Sequence, residues 1–232
     1  MTASKTFMKG HWSDLIISNF EVDKSMLEPY LPTDTEIDFY NDKAILSMVA
    51  FRFTKVSFFG VKIPFHQNFG QINFRFYVKS NVDGTKGVVF IKEFAAKPLI
   101  ATIARLFYNE PYHFKNITYT KIANGNKAEL QYSYKQLKIK AKGEKTDEEI
   151  TKNDLESFVV NRNVAFIKSK TRKTVLYTIE HKTWLLYKLN DSNFNIELLD
   201  LLPKTFKNLT HIGTCFVDGS SVEVQQGVLQ SS

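Results

Sequence analysis

The sequence predicts a mainly β (α+β) protein, a large curved antiparallel sheet closing into a β-barrel or β-cone with a few short helices laid on it. Three observations point there. Asn41-Asp42, Asp83-Gly84 and Asn124-Gly125 each separate runs rich in β-branched and aromatic residues, and such dipeptides accept the positive φ of tight hairpin turns. Helical spacing is scarce. About ten strands can be read, and closure is the usual way for so many strands to lose their exposed edges.

The elements follow in order. A short helix is expected after Asp23 as far as Tyr30. Strands 36–40 and 44–53 flank the first turn, 72–80 and 87–94 the second, and 117–122 and 128–134 the third. Pro98 opens the clearest helix, 98–108, with Leu99, Ile100, Ile103, Leu106 and Phe107 at helical spacing. Asn153 and Glu156 have the spacing of a capping box ahead of Phe158 and Val159. Strands 174–181 and 184–189, a helix 195–202 stopped by Pro203, and strands 210–217 and 221–225 complete the chain. No linker, repeat or shift of composition divides it, so 1–232 reads as one domain with a core of about 10–225 and short tails.

Composition removes several classes. Hydrophobic residues at 43% and charged residues at 24% fit a globular chain rather than a disordered one. The single Cys215 excludes an internal disulfide framework and a Cys-based zinc site, and the five histidines show no metal-ligand spacing. No phosphate loop, dinucleotide fingerprint or nucleophile elbow is present, so neither cofactor nor metal is expected. Residues 1–10 hold Lys5 and Lys9 but no apolar run of signal-peptide length, and no apolar stretch approaches roughly 18 residues; the expectation is a cytoplasmic protein with no membrane span. A net charge of +7 raises nucleic-acid binding, through Lys138, Lys140, Lys142 and Lys145 and through Lys168, Lys170, Arg172 and Lys173. Solvated hairpin tips explain both runs as well. Assembly into a homo-oligomer stays open.

Two strands carry the candidate site. Alternation in 87–94 sets Val88, Phe90, Lys92 and Phe94 on one face and Val89, Ile91 and Glu93 on the other. With both faces apolar, one of Lys92 or Glu93 points into an enclosed space. A lysine desolvated between phenylalanines has a lowered pKa and is a nucleophile toward carbonyl compounds, unless it snorkels or pairs with a carboxylate. In the neighbouring strand Gln71, Asn73, Arg75 and Tyr77 share a polar face, which is either open to solvent or the wall of a polar cavity where Arg75 binds a carboxylate. His181, three residues before Trp184, has the spacing to stack on it.

The order of motifs resembles the YqjF-like family of uncharacterised bacterial proteins. The likeness rests on Trp12 with Leu15, Leu31-Pro32, the run from Phe69 through Gln71, Asn73 and Arg75 to Val78, and Gly87-Val88-Val89-Phe90-Ile91-Lys92-Glu93. It continues through Glu110-Pro111-Tyr112, Leu155-Glu156-Ser157-Phe158 with Arg162, and His181-Lys182-Thr183-Trp184. It spans about residues 10–225. The resemblance implies an acetoacetate-decarboxylase-like barrel with a central small-molecule pocket. In that decarboxylase a lysine directly after a proline forms a Schiff base; here Tyr112 follows Pro111, and a phenol forms no imine. Gln71 stands where the family pattern has Glu, and Asn161 and Asn163 flank Arg162 where Glu and Tyr are usual. The expectation is a pocket for a small organic acid or carbonyl metabolite, with Arg75, Tyr112, Gln71, Asn73, Glu93 and His181 as binding groups. The alternatives are a lyase using Lys92 as its amine, and a basic-surface nucleic-acid binder.

Overall fold

The structure, a computed structural model, describes residues 6–65, 67–97, 112–150, 154–169 and 173–230. Its strands are β1 (Thr6–Val22), β2 (Thr35–Ile37), β3 (Ala44–Phe58), β4 (Phe69–Ser80), β5 (Lys86–Ala95), β6 (Tyr112–Phe114), β7 (Ile117–Asn124) and β8 (Lys127–Tyr134). They continue as β9 (Leu137–Glu149), β10 (Val164–Lys168), β11 (Thr174–His181), β12 (Leu185–Phe194), β13 (Thr210–Val217), β14 (Ser221–Gln225) and β15 (Val228–Leu229); among the described residues there is one α-helix, α1 (Leu155–Val160), before β10.

Strands β1, β3, β4, β5, β10, β11 and β14 form a closed ring of seven. Every contact in it is antiparallel except that of β5 with β10, which run parallel with Ala165 opposite Val88. The ring closes where the first part of β1, Thr6 to His11, pairs with β14. Farther along, Leu15 to Glu21 of the same strand pair with β13 instead. The exchange of partners happens at Asp14, whose φ of 60° breaks the ladder. From β13 the sheet continues through β12, β9, β8 and β7 as an arm lying over the outside of the ring.

This arrangement explains strands that are apolar on both sides. Leu46, Met48, Ile72, Phe74 and Phe76 pack outward against Leu130, Tyr132 and Ile139 of the arm. Leu15, Val49, Phe51, Phe53 and Tyr77 face inward, together with Val88, Ala165, Ile179 and Trp184. Val159 and Val160 of α1 are buried in that inner cluster.

The sequence expectations need several corrections. The Asn41-Asp42 turn forms, with φ of 46° and 62°, and closes a bridge from Tyr40 to Lys43, but β2 pairs with β4 and not with β3. The helices expected after Asp23 and at 195–202 are 3₁₀ turns, Lys24–Met26, Glu28–Tyr30 and Ile196–Leu201, too short for an amphipathic α-helical face. The cap of α1 is Asp154, whose carboxylate accepts from the Ser157 amide at 2.7 Å; the expected helix at 98–108 lies outside the described residues. Lys138, Lys140 and Lys142 are on strand β9, not at a hairpin tip. Lys142 stands between Glu129 on β8 and Asp191 on β12, and Lys145 pairs with Asp218 at 2.8 Å, so acids meet two of the lysines of this run.

Candidate functional site

Inside the ring lies a cavity of about 90 Å³. On the same scale one water needs roughly 10–15 Å³, so the space is several waters in size. Its wall is mostly aromatic and aliphatic, with Phe51, Phe53, Phe69, Phe90, Val49 and Ile179 among the residues facing it. The polar members include Gln71, Asn73 and Arg75 of β4, Glu93 of β5, Arg162, His181 and the indole of Trp12.

The polar face of β4 is therefore the cavity wall and not a solvent face. Gln71, Asn73 and Arg75 are 1%, 3% and 8% exposed. They are inward because Ile72, Phe74 and Phe76, one residue out of phase, are needed under the arm. The guanidinium of Arg75 donates from Nη2 to the carbonyl of Val159 at 2.8 Å, anchoring it to α1, and sits 5.9 Å from the Tyr77 ring centroid. Among the described residues no carboxylate lies within ion-pair distance of it.

Strict alternation sets Lys92 beside Phe90, and the structure does not. Phe74 is opposite Lys92 while Arg75 is opposite Phe90, so Ile91 is an extra residue and β5 carries a bulge. The bulge reverses the phase of the strand. Val88 and Phe90 face the cavity before it and Glu93 after it, whereas Lys92 is half-buried, opposite the outward Phe74, and does not line the cavity. Glu93 accepts from the Gln71 amide at 3.0 Å. Backbone pairing in parallel register sets Tyr112 beside Glu93, but the Tyr112 side chain lies outside what the structure describes.

His181 stacks on Trp184, centroids 4.5 Å apart and planes 23° from parallel. Burial lowers its pKa below the ordinary histidine value; the hydrogen bond to the Lys182 carbonyl opposes this and the Arg75 charge adds to it. The neutral ring holds its proton on Nδ1, 2.9 Å from that carbonyl, which leaves Nε2 as an acceptor.

Two groups were not singled out as site members from residue pattern. Arg162 faces the cavity, donates from Nε to the Phe158 carbonyl and from Nη1 to Asp38 Oδ2, both at 2.7 Å, and lies 4.3 Å over the Phe158 ring. Beneath Tyr77, Ser47 Oγ donates to Asn19 Oδ1 at 2.6 Å; with its one proton so used, it accepts from the Tyr77 hydroxyl, also at 2.6 Å. Asn19 in turn reaches Cys215 Sγ at 3.6 Å. A lone Asn or Ser in a strand gives no local signal of such a chain, which exists only because β1, β3, β4 and β13 are neighbours. Among the described residues no group of three or more His, Cys, Asp or Glu is placed to hold a metal ion, and no helix is long and apolar enough to cross a membrane.

The model of the DUF2071 family, an uncharacterized conserved protein, matches residues 9–211 of the chain. The uncharacterized protein YqjF of Bacillus subtilis (strain 168) is 31% identical over 111 residues, 47% of this chain and 45% of YqjF, so the match spans less than half of that relative. Among solved structures, acetoacetate decarboxylase from Legionella pneumophila superposes with a TM-score of 0.62 at 12% identity, covering 98% of this chain and 88% of that one. The enduracididine biosynthesis enzyme MppR, solved with pyruvate, gives 0.63 at 12% identity, with 95% and 90% covered. An acetoacetate decarboxylase-like enzyme from Sphingomonas wittichii RW1 gives 0.60 at 11%, with 98% and 94% covered. The fold is thus that of the acetoacetate decarboxylase-like proteins.

Proposed function

The chain belongs to the DUF2071 family, and we propose that in this member the ring cavity binds a small organic acid, its carboxylate received by Arg75. The observation that carries the reading is the guanidinium itself. It is buried and cationic, it faces a cavity, its Nε has no hydrogen-bond partner, and no carboxylate of the described residues is within ion-pair distance of it, although Glu93 shares the cavity wall. A buried cation left so is costly, and a bound carboxylate offsets that cost through charge-assisted hydrogen bonds. That a protein of the same fold was solved with pyruvate fits a short acid of this kind.

Imine chemistry through Lys92 loses its geometry, because the bulge in β5 takes that side chain away from the cavity. Nucleic-acid binding through β9 is disfavoured by the acids on its neighbouring strands.

The test is thermal unfolding with and without a panel of short monocarboxylates and their uncharged amides. An acid at about 100 times its Kd stabilises by about 2.7 kcal/mol. At roughly 2–4 °C per kcal/mol for a chain of this size, the midpoint rises by about 5–10 °C. Arg75→Met abolishes the rise. Equal shifts from acid and amide, or none from any acid, refute the reading, and a borohydride-trapped keto-acid adduct on Lys92 replaces it with the lyase.

A further inference from the structure

The polar atoms left over in the cavity specify more than a carboxylate. Among the buried atoms without a hydrogen-bond partner on residues that line it are Arg75 Nε, Trp12 Nε1 and Asn73 Oδ1. The first two are donors and match the oxygens of an acid. The third is an acceptor on a side chain 3% exposed, and only a donor satisfies it. Neutral His181 presents a further acceptor through Nε2. Asn73 and Arg75 are two residues apart on one face of β4, roughly 7 Å along the strand. One short molecule can therefore reach both side chains.

We infer that the ligand is a short hydroxy acid, its carboxylate on Arg75 and its hydroxyl donating to Asn73 Oδ1, and that the site discriminates against the oxo acid of the same skeleton. The inference rests on the carboxylate reading above and adds the second group. A 2-oxo acid offers only acceptors, so it leaves the Asn73 oxygen unsatisfied on binding, and a site built around a hydroxyl disfavours the analogue that lacks it.

The experiment is isothermal calorimetry of the folded full-length protein with lactate and with pyruvate. Wild type is expected to bind lactate about tenfold more tightly than pyruvate, the factor that one hydrogen bond of ordinary strength supplies. Asn73→Ala brings the two affinities together by weakening lactate and leaving pyruvate unchanged, and Arg75→Met weakens both. Pyruvate binding as tightly as lactate in an Arg75-dependent manner overturns the hydroxyl assignment and leaves the carboxylate reading standing. Binding of neither acid overturns both. Should Asn73→Ala fail to fold, the wild-type ratio alone decides.

Discussion

Gly87→Ala tests whether the ring is held closed at its one parallel contact. A Cβ built on Gly87 lies 2.4 Å from the carbonyl oxygen of Val164 and 2.6 Å from Cε2 of Phe166, a side chain with no exposed surface. The first neighbour is backbone and the second is locked in the core, so neither yields by rotating. An ordinary contact requires β10 to move away from β5 by about 1 Å, at the place where Ala165 registers with Val88. Overpacking of this kind costs about 1–3 kcal/mol, and a weakened ladder hydrogen bond adds about 1 kcal/mol. The expected loss is about 3 kcal/mol, or roughly 6–12 °C in Tm. Gly125→Ala is the control: its φ is 59° but nothing lies within 4 Å, so only left-handed strain of about 1 kcal/mol applies. Urea unfolding measures both. Because Val88, Phe90 and Ala165 also line the cavity, acid binding weakens in the first variant and not in the second. A Gly87→Ala protein within about 0.5 kcal/mol of wild type refutes the claim that this contact is rigid.

Three further outcomes are expected. Asp14 ties the arm to the ring, its carboxylate accepting from the Tyr119 hydroxyl and from Lys121 Nζ at 2.7 Å each, while its carbonyl accepts from Tyr132 at 2.7 Å. Burial, then Asp14, raises the Tyr119 pKa above its ordinary 10.0, and burial raises that of Tyr132 as well. The folded state therefore holds protons that the unfolded state releases, so stability declines as pH rises above about 10, and Tyr119→Phe makes that decline shallower. For His181 the sign is opposite. Its folded pKa is lowered by burial, so stability declines as pH falls below about 6.5, and a ring titration followed by NMR with a midpoint at or above that value contradicts the geometry. The Cys215 thiol is 2% exposed, and its pKa is pushed up by burial, so a thiol reagent labels it only with the kinetics of unfolding; rapid labelling of the native protein contradicts its placement behind Asn19.

Local chemistry determined the class of fold and much of its outline. The Asp83-Gly84 and Asn124-Gly125 turns connect β4 to β5 and β7 to β8, because φ values of 74° at Gly84 and 59° at Gly125 suit glycine and few other residues. The period of two in β4 separated its polar from its apolar face before any neighbour was known. What it left open was which face meets water, since an apolar face is buried whatever covers the other. The arm decided that, by closing over Phe74 and Phe76 and leaving Arg75 for the interior. Alternation misassigned Lys92 for a related reason. A bulge is an event between two strands: Ile91 is surplus only relative to Phe74 and Arg75 across the ladder, and nothing within 87–94 announces it. Residue types and their period are properties of the chain, whereas ring closure, strand register and the burial of a particular charge are properties of pairs of segments far apart in it. The β-rich class came from the first kind, and the cavity with Arg75 and Glu93 in its wall came from the second.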